Sequence, residues 1–267
     1  MAKEKERLMV KGLYTAYTGM INEQNRLDVL SNNLANADTN GYKKEGATSQ
    51  TFADELAIKI KDTSYYSMPQ KLGGMSMGVH IGETYTDYSQ GSFRETGATY
   101  DLGLEGNGFF AISTTDKSGT EHIRYTRDGS FTVTRDGYLV TKDGDYVLGA
   151  NNQRIQIPGA ATAKVAVDTL GNIYANEVQV GRLQIVDFQN KDALTLYGEN
   201  MFEALPEAGM VAGTALVRQG YLETSNVNVI NEMVSMISIT RAYEANQKMM
   251  QTVDSTLNKA VNEIGKL

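Results

Sequence analysis

The last forty residues of the chain carry a heptad pattern of apolar positions. Every seventh residue from Val229 is apolar, and a second row, offset by four, begins at Met233 and continues through Thr240, Gln247 and Asp254. This spacing indicates a helix that packs against another helix. The expected seam of this C-terminal helix includes Val229, Met233, Met236, Tyr243, Met250, Leu257 and Ile264.

The N-terminal segment repeats the pattern. Leu13, Met20, Leu27 and Leu34 are seven residues apart, and Tyr17 belongs to an offset row that also contains Gln24 and Ser31. We therefore predict a second heptad helix from about residue 6 to residue 35. The run from Asn36 to Gly41 should end it, because Asn and Gly tolerate the left-handed conformation that terminates helices.

Two terminal helices with apolar seams can cover one another, so we expect them to pair as a coiled coil formed by residues 1–41 and 222–267. Polar residues in the second row of each helix would cost stability and specify register or the number of partners. A pair of helices would leave much apolar surface uncovered, and we expect other chains to cover the rest.

Between the helices, residues 42–78 are expected to form a connector loop and residues 79–221 a β-rich domain. In the latter, segments with alternating apolar and polar residues predict strands. Asp-Gly pairs at Asp128, Asp136 and Asp143 lie between such segments and predict hairpin turns. The predicted fold class is α+β, with a mostly antiparallel β domain inserted between two long helices.

The amino-acid composition of the chain argues against several classes of function. The net charge of −7 argues against nucleic acid and anionic membrane as partners. The chain has no cysteine, two histidines and no apolar run of the length a membrane span needs. The charged N-terminus lacks the apolar core of a secretory signal peptide, so we expect secretion, if it occurs, to use another route.

No constellation of reactive residues stands out. Asp143-Gly144-Asp145 begins like a calcium loop but lacks a Glu at the twelfth position, and Gly106-Asn107-Gly108 has the wrong spacing for a nucleotide-binding loop. We therefore expect no metal, cofactor or small-molecule substrate, and a structural protein rather than an enzyme. Carboxylates are plentiful, however, and a glycosidase-type pair in the β domain remains an open alternative.

Longer motifs carry a family resemblance. The segment 30–43, from Leu30-Ser31-Asn32-Asn33-Leu34 to Gly41-Tyr42-Lys43, resembles the N-terminal signature of bacterial flagellar rod and hook proteins. The segment 225–246, from Ser225-Asn226-Val227-Asn228 to Glu244-Ala245-Asn246, resembles their C-terminal signature. Gly106–Phe110 and Tyr125–Phe131 resemble their shared β domain. Within this family the chain is most similar to the distal rod subunit, and next to the proximal rod subunit.

The resemblance implies a structural subunit of the basal-body rod, outside the cytoplasmic membrane. Its helices would line a helical tube that transmits torque to the hook and encloses the export channel. The implied partners are copies of the chain itself, other rod and hook subunits, and the flagellar type III export apparatus. A secreted adhesin or other filament subunit with the same plan, and a wall-glycan hydrolase, are the alternatives.

The polar residues of the two signatures have two interpretations. They could cap helices and fix turns within one chain, or they could form hydrogen bonds between neighbouring subunits. For Arg241 and Glu244, a contact between subunits is favoured over a solvated pair. The signature residues are Asn32, Asn33, Asn36, Asn40, Gly41, Asn226, Asn228, Arg241, Glu244 and Asn246.

Overall fold

Two long helices bracket a β-rich chain, as expected for an α+β protein. The computed structural model describes residues 2–52, 55–58, 71–75, 78–116, 119–159, 163–198, 200–259 and 261–262. Helix α1 spans Ala2–Ala35 and helix α2 spans Val229–Lys259. The end of α1 at Ala35 confirms the stop signal that follows it. The predicted seam residue Ile264 lies outside the described residues.

Twenty-one strands lie between the helices in the described part of the chain. They are β1 Glu45–Thr51, β2 Glu55–Ile58, β3 Lys71–Met75, β4 Val79–Thr86, β5 Phe93–Glu95, β6 Leu102–Glu105, β7 Phe109–Thr115, β8 Glu121–Thr126, β9 Thr132–Val133, β10 Leu139–Val140, β11 Tyr146–Gly149, β12 Gln153–Arg154, β13 Val165–Val167, β14 Asn172–Ala175, β15 Val178–Arg182, β16 Ile185–Phe188, β17 Leu194–Tyr197, β18 Met201–Ala204, β19 Met210–Ala212, β20 Leu216–Gln219 and β21 Tyr221–Glu223. Short 3₁₀ helices occur at Ala150–Asn152, Lys191–Ala193 and Pro206–Ala208.

The largest sheet has ten strands. Its main path runs β17-β18-β8-β7-β11-β10-β9, with β12 on β11, and with β16 joining β7 to β19. A three-stranded sheet β13-β14-β15 and the pairs β6–β20 and β5–β21 complete this region. Every ladder among β5–β21 is antiparallel, as predicted.

Strand β7 separates two hydrophobic clusters. Successive side chains of a strand point to opposite faces, so Phe110 packs edge-to-face on Phe131 in one cluster while its neighbour Phe109 packs on Phe202 in the other. The first six residues of β7 are all buried. The run of consecutive apolar residues at 109–112 is thus explained by a strand covered on both faces.

Two of the three predicted hairpin turns are present. Asp136-Gly137 joins β9 to β10 and Asp143-Gly144 joins β10 to β11, each with its glycine at positive φ. The third prediction was wrong, because Asp128-Gly129 leads from β8 to β9, which are not paired. Gly129 instead lies so close to the Leu102 carbonyl that a Cβ would overlap it.

The segment expected as a connector loop contains three strands, of which β1 pairs with β4 and β2 with β3. The chain forms two compact units. The helical unit comprises Met1–Asn32, Glu45–Tyr85 and Ile230–Leu267, and the β unit comprises Asn33–Lys44 and Thr86–Val229. The chain thus passes through the β unit twice, first in residues 33–44 after α1 and again in residues 86–229 before α2.

Candidate functional site: the junction of the two signatures

Gly41 fixes the path of the chain after α1. Its φ is +68°, a conformation that favours glycine, and a Cβ there would lie 2.5 Å from backbone atoms of Arg127 and Asp128. Its amide donates a 2.8 Å hydrogen bond to the carbonyl of Glu223. The N-terminal signature therefore meets the segment that leads into the C-terminal one within the β unit, where the backbones leave no room for a side chain.

The next residue, Tyr42, is anchored back to the end of α1. Its ring is buried, and its hydroxyl donates a 3.1 Å hydrogen bond to Oδ1 of Asn33, which is also fully buried. A buried amide oxygen needs such a partner. For Asn33 the structure thus provides a role within the chain.

Lys43, Arg127 and Glu223 form a buried ionic cluster at the centre of the junction. Their side chains are 1%, 4% and 0% exposed. Lys43 Nζ lies 2.6 Å from Glu223 Oε1, and Arg127 Nε lies 2.8 Å from Glu223 Oε2. Burial lowers the pKa of the Lys43 amine, and the Glu223 carboxylate opposes that shift.

The remaining donors of the cluster bind backbone carbonyls. Arg127 Nη2 donates to the carbonyl of Gly106 at 2.6 Å, and its Nη1 donates to that of Gly108. Lys43 Nζ also donates to the carbonyl of Ser89 at 2.8 Å. The motif around Gly106–Gly108 is therefore not a phosphate-binding loop; its carbonyls bind an arginine of the same chain.

Asn226 links the segment before α2 to the segment after α1. Its Oδ1 accepts a 2.7 Å hydrogen bond from the Lys44 amide, and its Nδ2 donates to the carbonyl of Asp87 at 2.8 Å. The side chain of Asn226 thus bridges three segments of the β unit. This is again a role within the chain, rather than between subunits.

The other signature residues are less enclosed. Asn36 Oδ1 accepts from the Thr39 hydroxyl at 3.1 Å in the turn after α1, and Asn40 Oδ1 accepts from Arg94 Nη2 at 3.0 Å. Asn32 and Asn228 are exposed.

Arg241 and Glu244 both lie on the described part of α2, where they are exposed and form no ion pair with each other. Their expected contact between subunits remains a prediction.

Within the helical unit, α1 and α2 contact each other at Gly19 and Asn246. A Cβ on Gly19 would lie 3.1 Å from Asn246 Nδ2, which is tighter than an ordinary contact. Three residues further along α1, Asn22 Nδ2 donates to the Ser49 hydroxyl of β1 at 3.0 Å. Gly19 allows the close approach of the helices because it has no side chain.

Heptad rows are covered on both helices in the single chain, and the predicted second rows are mostly exposed there. The row of Leu13, Met20, Leu27 and Leu34 is partly buried, and its covered companion is Ala16, Glu23 and Leu30, offset by three. In α2 the partly or fully buried residues are Glu232, Met236, Ile239, Thr240, Tyr243, Asn246, Met250, Val253 and Leu257, so Thr240 of the predicted second row is among them. Tyr17, Val229 and Met233 of the predicted seam are exposed in the single chain, and their role in assembly remains a prediction.

The sequence carries no clear signal for the ionic cluster. Lys43 and Arg127 stand inside longer motifs, and Glu223 belongs to none of the motifs that carry the resemblance.

The described residues contain no group of His, Asp and Glu side chains that could hold a metal ion. Neither described helix has an apolar stretch of the length that a bilayer crossing requires.

Three family models match the chain. "Flagella basal body rod protein" matches residues 13–43, "Flagellar hook protein FlgE/F/G D1 domain" matches 103–175, and "Flagellar basal body rod FlgEFG protein C-terminal" matches 218–263. The first and third of these cover the segments that meet at the junction.

Similar proteins match along almost their whole length. The flagellar basal-body rod protein FlgG of Bacillus subtilis is 34% identical over 95% of this chain and 99% of its own. FlgG of Buchnera aphidicola subsp. Baizongia pistaciae is 32% identical over 94% and 98%. The chain belongs to the flagellar basal-body rod protein family.

Among the family members that are similar to the chain, FlgG proteins rank first in similarity and FlgF proteins second. FlgF of Rhizobium meliloti is 33% identical over 96% of this chain and 99% of its own. The chain is accordingly a structural subunit of the flagellar basal-body rod, not an enzyme, and its location is the basal body. The comparisons do not favour the alternative of another secreted filament or adhesin subunit.

Proposed function

We propose that the chain self-assembles into a helical tube in which α1 and α2 pair as a coiled coil. The tube would enclose the export channel and transmit motor torque to the hook. Torque is resisted best when many contacts between subunits share it. Long helices with apolar faces can supply such contacts, and head-to-tail contacts that do not close give an open helical polymer.

The contact between Gly19 and Asn246 supports the pairing of the helices. It lies within a stripe of α2 that has heptad spacing from Met236 to Leu257, and each residue of that stripe is at least partly covered. A covered stripe at heptad spacing on both helices is the pattern that coiled-coil packing requires.

Apolar side chains left exposed on both helices support self-association. On α2, Ile230 is 73% exposed and Val234 is 63% exposed, with Met233 and Ile237 beside them at helical spacing. On α1, Tyr14, Tyr17 and Ile21 are exposed at intervals of three and four. Contiguous exposed apolar residues on a helix mark a surface for another protein.

We further propose that other rod and hook subunits bind at the two ends of the polymer, and that the chain arrives through the flagellar export apparatus. Membership in a family that includes both rod and hook proteins supports the first part. The resemblance of the chain to exported subunits supports the second.

Sedimentation velocity and far-UV circular dichroism across a concentration range test the proposal. The full chain should sediment increasingly fast and gain helical signal as its concentration rises, because its exposed apolar faces become covered. Replacing Val234 and Ile237 by Glu should abolish this change, since two charges would then have to be buried at each contact.

Val178→Glu is the matched control, because Val178 is 66% exposed on β15 of the β unit. It should assemble like the unmodified chain. A full chain that stays monomeric with constant helix content at all concentrations contradicts the proposal. So does assembly that is equally strong in the Val234→Glu/Ile237→Glu variant.

A further inference from the structure

The ionic cluster at the junction is unbalanced, because one carboxylate faces two cations. Lys43, Arg127 and Glu223 are all almost fully enclosed. A further carboxylate, that of Asp87, also acts on Lys43, and its influence is smaller than that of Glu223 or of the repelling Arg127. Without Glu223, two buried cations would face each other with no anion between them, an arrangement that is strongly unfavourable in a protein interior.

The three members of the cluster come from distant parts of the chain. Lys43 follows α1, Glu223 precedes α2, and the two are 180 residues apart. Arg127 follows strand β8 of the large sheet. The Gly41 amide on the Glu223 carbonyl, and the Lys44 amide on Asn226 Oδ1, join the same two segments. Several of the bonds that hold the segment after α1 in place are therefore made to the segment before α2.

We propose that Glu223 is the closing residue of an electrostatic clasp made of Lys43, Arg127 and Glu223. The segment 41–44 stays detached from the β unit until residues 221–226 have docked, because burying Lys43 beside Arg127 requires the carboxylate. Both connections to the helices are then fixed in one cooperative step. A chain whose C-terminal part is not yet in place leaves its N-terminal connection open.

Hydrogen exchange of the full-length chain, followed by mass spectrometry, tests the clasp. In Glu223→Gln, exchange of the amides of Gly41, Lys44 and Asp87 should accelerate together, on the order of a hundredfold. Amides in the β7–β8 ladder should keep their protection. Lys43→Met leaves one cation for one carboxylate, and the protection of 41–44 should remain close to that of the unmodified chain.

The double variant Lys43→Met/Glu223→Gln separates charge from simple loss of a hydrogen bond. Removing Lys43 relieves the repulsion, so the double variant should be more protected at Gly41 and Lys44 than Glu223→Gln alone. If Glu223→Gln fails to fold, a folded double variant still supports the clasp. The matched control is Glu105→Gln, which breaks the exposed 2.7 Å pair with Arg218 and should leave exchange at the junction unchanged.

Three results would overturn the proposal. The first is unchanged exchange of Gly41 and Lys44 in Glu223→Gln. The second is a double variant no better protected, or no better folded, than Glu223→Gln. The third is opening of the junction by Lys43→Met to the same extent as by Glu223→Gln, since the cluster would then act as an ordinary balanced network rather than as one closed by its carboxylate.

Discussion

Lys43 Nζ lies 2.6 Å from Glu223 Oε1, although 180 residues separate the two along the chain. This pair joins the end of one family signature to the segment that leads into the other. Around it, Gly41, Asn33 and Asn226 act within the chain and shape the junction from which the helices extend.

Gly41→Ala should destabilise the β unit by more than about 3 kcal/mol, because both the left-handed φ and the neighbouring backbone oppose a side chain. Gly97 is the matched control, since it has the same φ of +68° but no atom within 4 Å of the position that a Cβ would take. Gly97→Ala should therefore cost only about 1 kcal/mol. Urea unfolding followed by circular dichroism measures both, and equal losses would show that the close approach to Arg127 does not matter.

Tyr42→Phe should lower the free energy of unfolding by about 1–3 kcal/mol, because it removes the hydroxyl that binds the buried Oδ1 of Asn33. The ring itself stays packed, so the loss reflects the polar contact. Tyr197→Phe, at an exposed ring on β17, should change stability by less than about 0.5 kcal/mol. A Tyr42→Phe protein as stable as the unmodified chain would contradict the importance of this hydrogen bond.

Raising the pH should increase the free energy of unfolding of the unmodified chain relative to that of Lys43→Met. Burial lowers the pKa of Lys43 below its ordinary value of 10.5. Between the lowered pKa and 10.5 the unfolded chain binds a proton that the folded chain has released, so the free energy of unfolding rises with pH.

Urea midpoints of the unmodified chain and Lys43→Met, measured at about pH 7 and about pH 10, check this sign. Both proteins contain the same tyrosines, so their titration cancels in the difference. The difference in urea midpoint between the two proteins should therefore change with pH. If it is the same at both pH values, or favours Lys43→Met more at the higher pH, the result is inconsistent with an ammonium group that burial destabilises.

Gly19→Leu should raise the concentration needed for self-association by about tenfold or more, because a large side chain would push α2 away at Asn246. Gly12→Leu provides the control on the same helix, since nothing lies within 4 Å of its Cβ position. Sedimentation of the two variants distinguishes a packing effect from a general change in helix propensity. Equal association of both variants would argue against close packing of α1 on α2 in the assembled state.

Features determined by local chemistry were predictable from the sequence. The helix stop after Ala35 and the hairpins at Asp136-Gly137 and Asp143-Gly144 depend on residues that are neighbours in the chain. Asp128-Gly129 has the same sequence signal but not the same structure, because its glycine is required by the close Leu102 carbonyl. A dipeptide alone cannot distinguish a glycine needed for a turn from one needed for a close approach.

For α2, polarity favours a second row other than the one predicted. A heptad allows the second row to be offset by three or by four positions, and the predicted choice in α2 placed Gln247 and Asp254 in the seam. The row offset by three contains Ile239 and Val253, which are covered in the single chain, whereas Gln247 and Asp254 are exposed. The ionic cluster could not be predicted from the sequence. The residues around Lys43 do not distinguish it from an exposed lysine, because its partner Glu223 lies 180 residues away.

The segment that follows α1 and the segment that precedes α2 both belong to the β unit, where Gly41–Lys44 and Glu223–Asn226 are joined by direct hydrogen bonds. Because these bonds hold the two segments together directly, the strands between them can lengthen or shorten without changing the separation of the two segments. That separation stays the same whatever lies between residues 95 and 220, provided that Arg127 and its carbonyl partners are kept. Variation elsewhere in the β unit and preservation of the junction are, in this architecture, independent of each other.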